Sequence, residues 1–179
     1  MEVIIQDIIT FLNSMPILGP ILAFLCIVLE SLIPFLPLVV FIGVLTYYLN
    51  IYLAYIVAYI AICLGSIFTF LLYRYIFKNK KYKLTDKFSN IKFEQLAILY
   101  AIPFSPSGFV HIGLAVGKYN FKKFTISLLI GKLFSVYFWV FISKTFIQSI
   151  TDISTLVILT ISLLIVFAIS KLVRKNMKF

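Results

Sequence analysis

The chain is predicted to be an all-α polytopic membrane protein built as two inverted repeats, each a re-entrant helical hairpin followed by a transmembrane helix, with one more transmembrane helix at the C-terminus. Three observations predict this. Hydrophobic residues make up 63% of the 179 residues and charged residues 12%, with a mean hydropathy of +1.11. A soluble domain of this size has no way to hide that much apolar surface. The basic residues fall in short clusters between apolar runs, the pattern that sets membrane topology. Finally, two long apolar runs are broken in their middles by paired prolines, Pro34-x-x-Pro37 and Pro103-x-x-Pro106.

The net charge of +10 raises nucleic acid as a partner. The placement of the charge argues against it, because the lysines sit in loops between apolar runs rather than along one face of a polar domain. Cys26 and Cys63 lie inside apolar segments without metal-ligand spacing, so each reads as a small buried hydrophobe. The N-terminus shows no basic region and no small-residue cleavage site, so no removable signal peptide is expected.

The whole chain, 1–179, reads as one membrane domain. Residues 1–15 place Val3, Ile4, Ile8, Phe11 and Leu12 against Glu2, Gln6, Asp7 and Asn13, which is the pattern of an interfacial helix. Residues 17–49 are too long for one span and too short for two, since a span takes about 20 residues. With a double-proline break in the middle they fit a re-entrant hairpin. Residues 51–77 suit one tilted span. Ala54, Ala58, Ala61, Gly65 and Thr69 form a small-residue stripe along it, of the kind that lets membrane helices approach closely.

Residues 78–92 carry six lysines and one acid and read as an aqueous loop. Residues 93–117 are either one span or a second hairpin, and the lysines decide. A crossing would put Lys118, Lys122 and Lys123 on the side opposite 78–92. Re-entry places every strong basic cluster, including Lys171, Arg174, Lys175 and Lys178, in the cytoplasm. Residues 121–146 then cross, 148–152 form a short outer loop, and 153–171 return. The first 73 residues hold no Lys or Arg, which suits the outer side.

The two breaks form an internal repeat. Ile33-Pro34-Phe35-Leu36-Pro37 matches Ile102-Pro103-Phe104-Ser105-Pro106, and each is followed by a glycine, Gly43 or Gly113, and a long span. Broken helices in inverted repeats that meet near the midplane are the layout of many secondary transporters.

At these residues the chain resembles the DedA family and the wider group of VTT-domain membrane proteins. The likeness runs from about Pro16 to Lys171. It rests on Glu30 ahead of Pro34-x-x-Pro37, on Pro103-x-x-Pro106, on Gly113, Ala115 and Gly117, and on Phe124, Gly131 and Trp139. The resemblance implies two facing re-entrant hairpins and movement of lipid across the bacterial inner membrane. The implied cargo is undecaprenyl phosphate or phospholipid, with dependence on the proton motive force. Where family members often carry arginines beside the second break, this chain has Tyr100 and Ser107. Where many carry Gly and an acid after the first, it has Leu38 and Val39.

The candidate residues for substrate binding or coupling are Glu30, Pro34, Pro37, Pro103, Ser105, Pro106, Ser107, Gly108, His111 and Lys132. Glu30 is the only acid between Asp7 and Asp86. An ionisable group in lipid usually faces protein or water, and Glu30 is the candidate proton carrier; its bland alternative is a carboxyl that caps the hairpin. His111 reads as a relay or phosphate contact, against a satisfied core histidine. Lys132 lies too deep in its helix to snorkel, so it faces a cavity or pairs with Glu30. Ser127, Gly131 and Ser135 beside it read as a packing stripe, and Arg74 as an interfacial anchor. Ser105, Ser107 and Gly108 offer hydroxyls and free amides, and a helix starting after Pro106 points its positive dipole end at the midplane.

Three function classes compete. A carrier of lipid phosphate needs a polar cavity at depth, and a structural membrane protein that supports envelope integrity without transport needs none. An intramembrane enzyme is disfavoured, because there is one His and no readable metal or nucleophile-base set. No cofactor and no metal are expected. The expected partners are membrane lipids, with anionic lipid phosphate as substrate and homo-oligomerisation left open.

Overall fold

The computed structural model describes residues 10, 13–33, 38–78, 88, 91–105, 107–149, 161, 164, 168 and 171. Among them the elements are helices: α1 (Leu18–Glu30), α2 (Leu38–Tyr48), α3 (Ile51–Ile76), α4 (Phe93–Ala101), α5 (Ser107–Val116) and α6 (Phe121–Ser149). The interfacial helix expected at 1–15, the loop at 78–92 and the span at 153–171 fall almost wholly outside the described residues. So do Pro34, Pro37 and Pro106.

Local chemistry sets most helix ends. Pro20 lies in the first turn of α1, where a helix has no use for its missing N–H. Leu32 and Ile33 both donate to Leu29 O, at 2.9 and 3.0 Å, and close that helix just past Glu30. Asn50 caps α3 by accepting from the Leu53 N–H at 2.9 Å. Asn120 does the same for α6, accepting from the Lys123 N–H at 3.1 Å. α4 stops at Ala101 because Ile102, which precedes Pro103, takes an extended conformation (φ −75, ψ 119).

The end of α5 is unusual. Tyr119 N–H donates to Leu114 O at 3.0 Å and Lys118 N–H to Ala115 O at 3.2 Å, the pair of bonds of a Schellman cap. The left-handed position in that cap is taken by Lys118 (φ 53) rather than by glycine.

α3 and α6 run antiparallel through the centre. Tyr55 OH donates to Leu133 O at 3.1 Å and Tyr59 OH to Leu129 O at 2.9 Å. Further along, the Phe70 ring stacks on Phe124, centroid to centroid 4.2 Å. The four short helices divide themselves between these two in a regular way. α1 packs on α3 and on α2, while α2 packs chiefly on α6; α4 packs on α6, and α5 on α3. In each half the helix before the break thus lies on the long helix that follows its own break. The helix after the break lies on the long helix of the other half.

Two glycines make the closest of these approaches. A Cβ on Gly65 would lie 2.6 Å from Val28 O and 2.7 Å from Ser31 Oγ. A Cβ on Gly131 would lie 2.5 Å from both Ala97 O and Tyr100 Cβ. Small residues allow such backbone contact in lipid. The predicted stripe of Ala54, Ala58, Ala61, Gly65 and Thr69 is buried throughout.

The apolar interior comes as two clusters. One joins Ala23, Ile27, Ile42, Leu45, Ala58 and Ile62 to Val136 and Val140. The other joins Phe70, Leu96, Tyr100, Leu114, Phe124 and Leu128. The outward faces are apolar as well: Ile21, Leu25 and Leu29 on α1, Ile56, Ile60, Leu64 and Phe68 on α3, and Ile126, Ile130, Phe134 and Phe141 on α6 are exposed. An apolar surface this extensive is suited to hydrocarbon, not water. α3 and the Phe121–Thr145 stretch of α6 are long and apolar enough to cross a membrane.

Candidate functional site

Most of the buried polar side chains stand on the stretches of chain between or beside the two apolar clusters. Ser31 follows α1, Ser66 and Thr69 are on α3, His111 is on α5, and Ser127, Lys132 and Ser135 are on α6; all are buried. Lys132 retains 9% of its surface and His111 1%. Buried polar atoms normally find hydrogen-bond partners. Ser127 does, donating to Phe93 O at 3.3 Å. Ser66 Oγ, Thr69 Oγ1, Ser135 Oγ, Ser105 Oγ, Tyr100 OH and both ring nitrogens of His111 have none among the described residues. A set of unsatisfied donors and acceptors this deep marks a place suited to water or a polar ligand.

Lys132 is the centre of this region. Its Nζ lies 6.0 Å from the centroid of the Tyr100 ring, over the ring, a cation–π distance. Tyr100 in turn meets His111, ring centroids 5.4 Å apart. Both rings pack on Phe124, at 6.2 and 5.8 Å. Lys132 also interacts electrostatically with Glu30, with His111 and with Cys63. Glu30 is the last residue of α1, at the negative end of its dipole, where a carboxylate is disfavoured unless a cation compensates. Lys132 is a cation within electrostatic reach of it.

The second break is held from α6. Trp139 Nε1–H donates to Pro103 O at 3.2 Å, and the Phe104 ring meets Trp139 edge-on at 5.2 Å. Ser105 N–H donates to Ile102 O at 3.2 Å, and Ser107 N–H to Ser105 O at 2.7 Å, so the chain turns tightly before α5 begins at Ser107. Gly108 is buried in the first turn of that helix. On the other half, Ser143 Oγ donates to Val39 O at 3.0 Å and ties the start of α2 to α6.

The structure therefore brings Lys132 together with Tyr100 and His111, within electrostatic reach of Glu30, and holds the turn at Pro103 and Phe104 against Trp139, with Ser107 and Gly108 opening α5 just beyond it. Of the two readings open for Lys132, cavity or pairing with Glu30, neither is singled out: its ammonium lies over the Tyr100 ring. Sequence reasoning missed Tyr100 as a member of the group, and Ser66 and Thr69 as more than packing. The signal for the two α3 residues was present, since they are the hydroxyls on its small-residue face. Arg74 is fixed at the end of α3, where its guanidinium donates to Tyr119 O at 3.2 Å and lies 5.7 Å over the Phe70 ring. Cys26 and Cys63 are free thiols.

Lipid-facing helices, short helices paired about chain breaks and a polar layer between apolar clusters define a helical membrane protein with a buried polar centre. The chain belongs to the VTT-domain family, to which the DedA proteins are assigned: the VTT domain matches residues 33–145, from the first break almost to the end of α6. It is similar to the Bacillus subtilis protein named "Uncharacterized membrane protein YhjE", with 24% identity over 167 residues that cover 88% of this chain and 81% of that one. No solved structure matches the chain.

Proposed function

We propose that this protein is a lipid carrier of the DedA type, which moves an anionic lipid, a polyprenyl (undecaprenyl) phosphate or a phospholipid, across the bacterial inner membrane. The observation that carries the reading is Lys132: a nine-tenths buried cation among unpartnered polar side chains, between two apolar cores. A scaffold that only packs against lipid has no use for a charge there, since a lysine at membrane depth is costly.

The helix lengths support re-entry. At 1.5 Å per residue, α1, α2, α4 and α5 with 13, 11, 9 and 10 residues reach about 20, 16, 14 and 15 Å, against about 30 Å of hydrocarbon. Two hairpins entering from opposite faces meet at mid-depth. The reciprocal packing of the short helices on α3 and α6 is what two inverted repeats would produce. The basic segments at 78–92, 118–123 and the C-terminal tail lie in the cytoplasm in this reading. The start of α5 directs its dipole and free amides at the cargo's charge, worth about 0.3 to 2 kcal/mol.

The test is reconstitution into vesicles with fluorescent phosphatidylglycerol and phosphatidylcholine placed in one leaflet. The carrier moves the anionic probe, and Lys132→Met slows it more than the zwitterionic one. A folded Pro103→Ala, Pro106→Ala variant that moves lipid at the full rate would make the break a packing device, and the scaffold reading would replace this one.

A further inference from the structure

His111 leaves more open than any other side chain of the polar layer. It is 1% exposed, and neither of its ring nitrogens has a partner among the described residues. A charged imidazole buried without a hydrogen-bonded partner is strongly disfavoured. The ring is therefore neutral, with one N–H that donates and one bare nitrogen that accepts. Its place in the fold calls for a ligand that can answer both.

The donors converge from three helices. The Tyr100 ring of α4 lies between the other two groups: the Lys132 ammonium of α6 is 6.0 Å from its centroid, and the His111 ring of α5 is 5.4 Å away. Tyr100 is fully buried, and its hydroxyl also lacks a partner among the described residues. An ammonium, a phenolic O–H and an imidazole N–H are together suited to a phosphate oxyanion. Phe124 packs on both rings, at 6.2 and 5.8 Å, and Leu114 and Leu128 join the same cluster. Lys132, 9% exposed, is the member of the group that still meets its surroundings.

An oxyanion alone leaves the second His111 nitrogen unanswered, because two acceptors repel one another. A hydroxyl on the same ligand answers it by donating. Ser66 and Thr69 stand on α3, the helix on which α5 packs. They add two unpartnered hydroxyls that can either donate or accept.

We propose that Tyr100, His111 and Lys132 form a seat for an anionic phosphate that also carries a hydroxyl group, and that the bare nitrogen of His111 selects the hydroxyl. The glycerol phosphate headgroup of phosphatidylglycerol has both features. The inference rests on the carrier reading and names the headgroup class. A free phosphate monoanion offers the same chemistry through its P–OH, so the experiment separates the two sources.

The test uses the full chain in uncharged maltoside micelles, titrated calorimetrically. The two probes are dioctanoyl phosphatidylglycerol and dioctanoyl phosphatidylethanol, which match in charge and chains and differ in the headgroup hydroxyls. The wild type should bind the first about tenfold more tightly. His111→Phe keeps an aromatic ring and loses both nitrogens, and should bind the two lipids equally. His111→Leu takes its place if that variant does not fold. Tyr100→Phe removes a phosphate donor and should weaken both lipids by the same factor, about threefold to tenfold. Equal wild-type affinity for the two lipids would overturn the proposal, as would an undiminished preference in a folded His111 variant. Inorganic phosphate is the third probe and should bind far more weakly. If it binds as tightly as phosphatidylglycerol, the seat belongs to the free ion and the lipid assignment is overturned. If the preference holds and depends on His111 while vesicles show no transbilayer movement, the seat stands and the carrier reading fails. Movement of lipid without the preference would sink the seat and leave the carrier.

Discussion

Gly131 touches the backbone of α4: a Cβ added there would lie 2.5 Å from the carbonyl oxygen of Ala97. The same contact recurs in the first half of the chain, where a Cβ on Gly65 would lie 2.6 Å from the carbonyl of Val28. Val28 and Ala97 are offset by the same 69 residues as the two proline breaks at Ile33 and Ile102. Each glycine lets the helix before a break lie directly on a long helix, and so sets the depth of that break.

Alanine at Gly65 or Gly131 should therefore destabilise the protein by about 1–3 kcal/mol, the usual range for overpacking, because the atom in the way is backbone. Alanine at Gly113 should cost less, since the nearest atoms its Cβ would meet are those of the Phe88 ring, at 2.6 Å, a side chain able to turn. Thermal unfolding of the three variants in detergent checks the order. Equal losses at all three positions would contradict it.

Lys118 holds a left-handed backbone position at the end of α5. A Lys118→Gly change relieves that conformation and should stabilise the protein by about 0.5–1 kcal/mol, provided the charge is not needed. Lys118→Asn tests the charge separately, because asparagine tolerates the same conformation. Lys118→Val should destabilise. The measurement is again the unfolding midpoint of each variant.

Trp139 holds the second break through its bond to Pro103 O. Trp139→Phe keeps the ring packing and loses the donor, at a cost of about 1 kcal/mol. The turn at 103–105 should open more often. A cysteine at Ser105, in a background free of Cys26 and Cys63, should then react faster with a small water-soluble thiol reagent than it does with Trp139 intact. An unchanged rate would mean that the turn is held by the Phe104 contacts alone.

Membrane sidedness is tested with single cysteines in the same background. On the carrier reading proposed above, in which residues 93–117 turn back rather than cross, Lys83→Cys and Lys118→Cys should both label from the cytoplasmic face. Labelling of the two from opposite faces would make that segment a span and remove the paired hairpins.

Much of this architecture is written locally. Prolines at 103 and 106 end a helix wherever they stand, because they remove donors and restrict the residue before them. A run such as Ile51–Ile76 must be helical in hydrocarbon, since its amides have no other partners. The small face of that run announces a packing surface by spacing alone. For these reasons the all-helical membrane class, the breaks and the buried stripe of α3 were legible in the sequence. The grouping of Glu30, Tyr100, His111 and Lys132 was not fixed in this way. These residues stand on four helices, and their meeting depends on the rotation and depth of each, which close approaches at Gly65 and Gly131 decide. Sequence spacing places Lys132 deep in a helix; only the packing of α4, α5 and α1 around α6 and α3 determines what that charge faces.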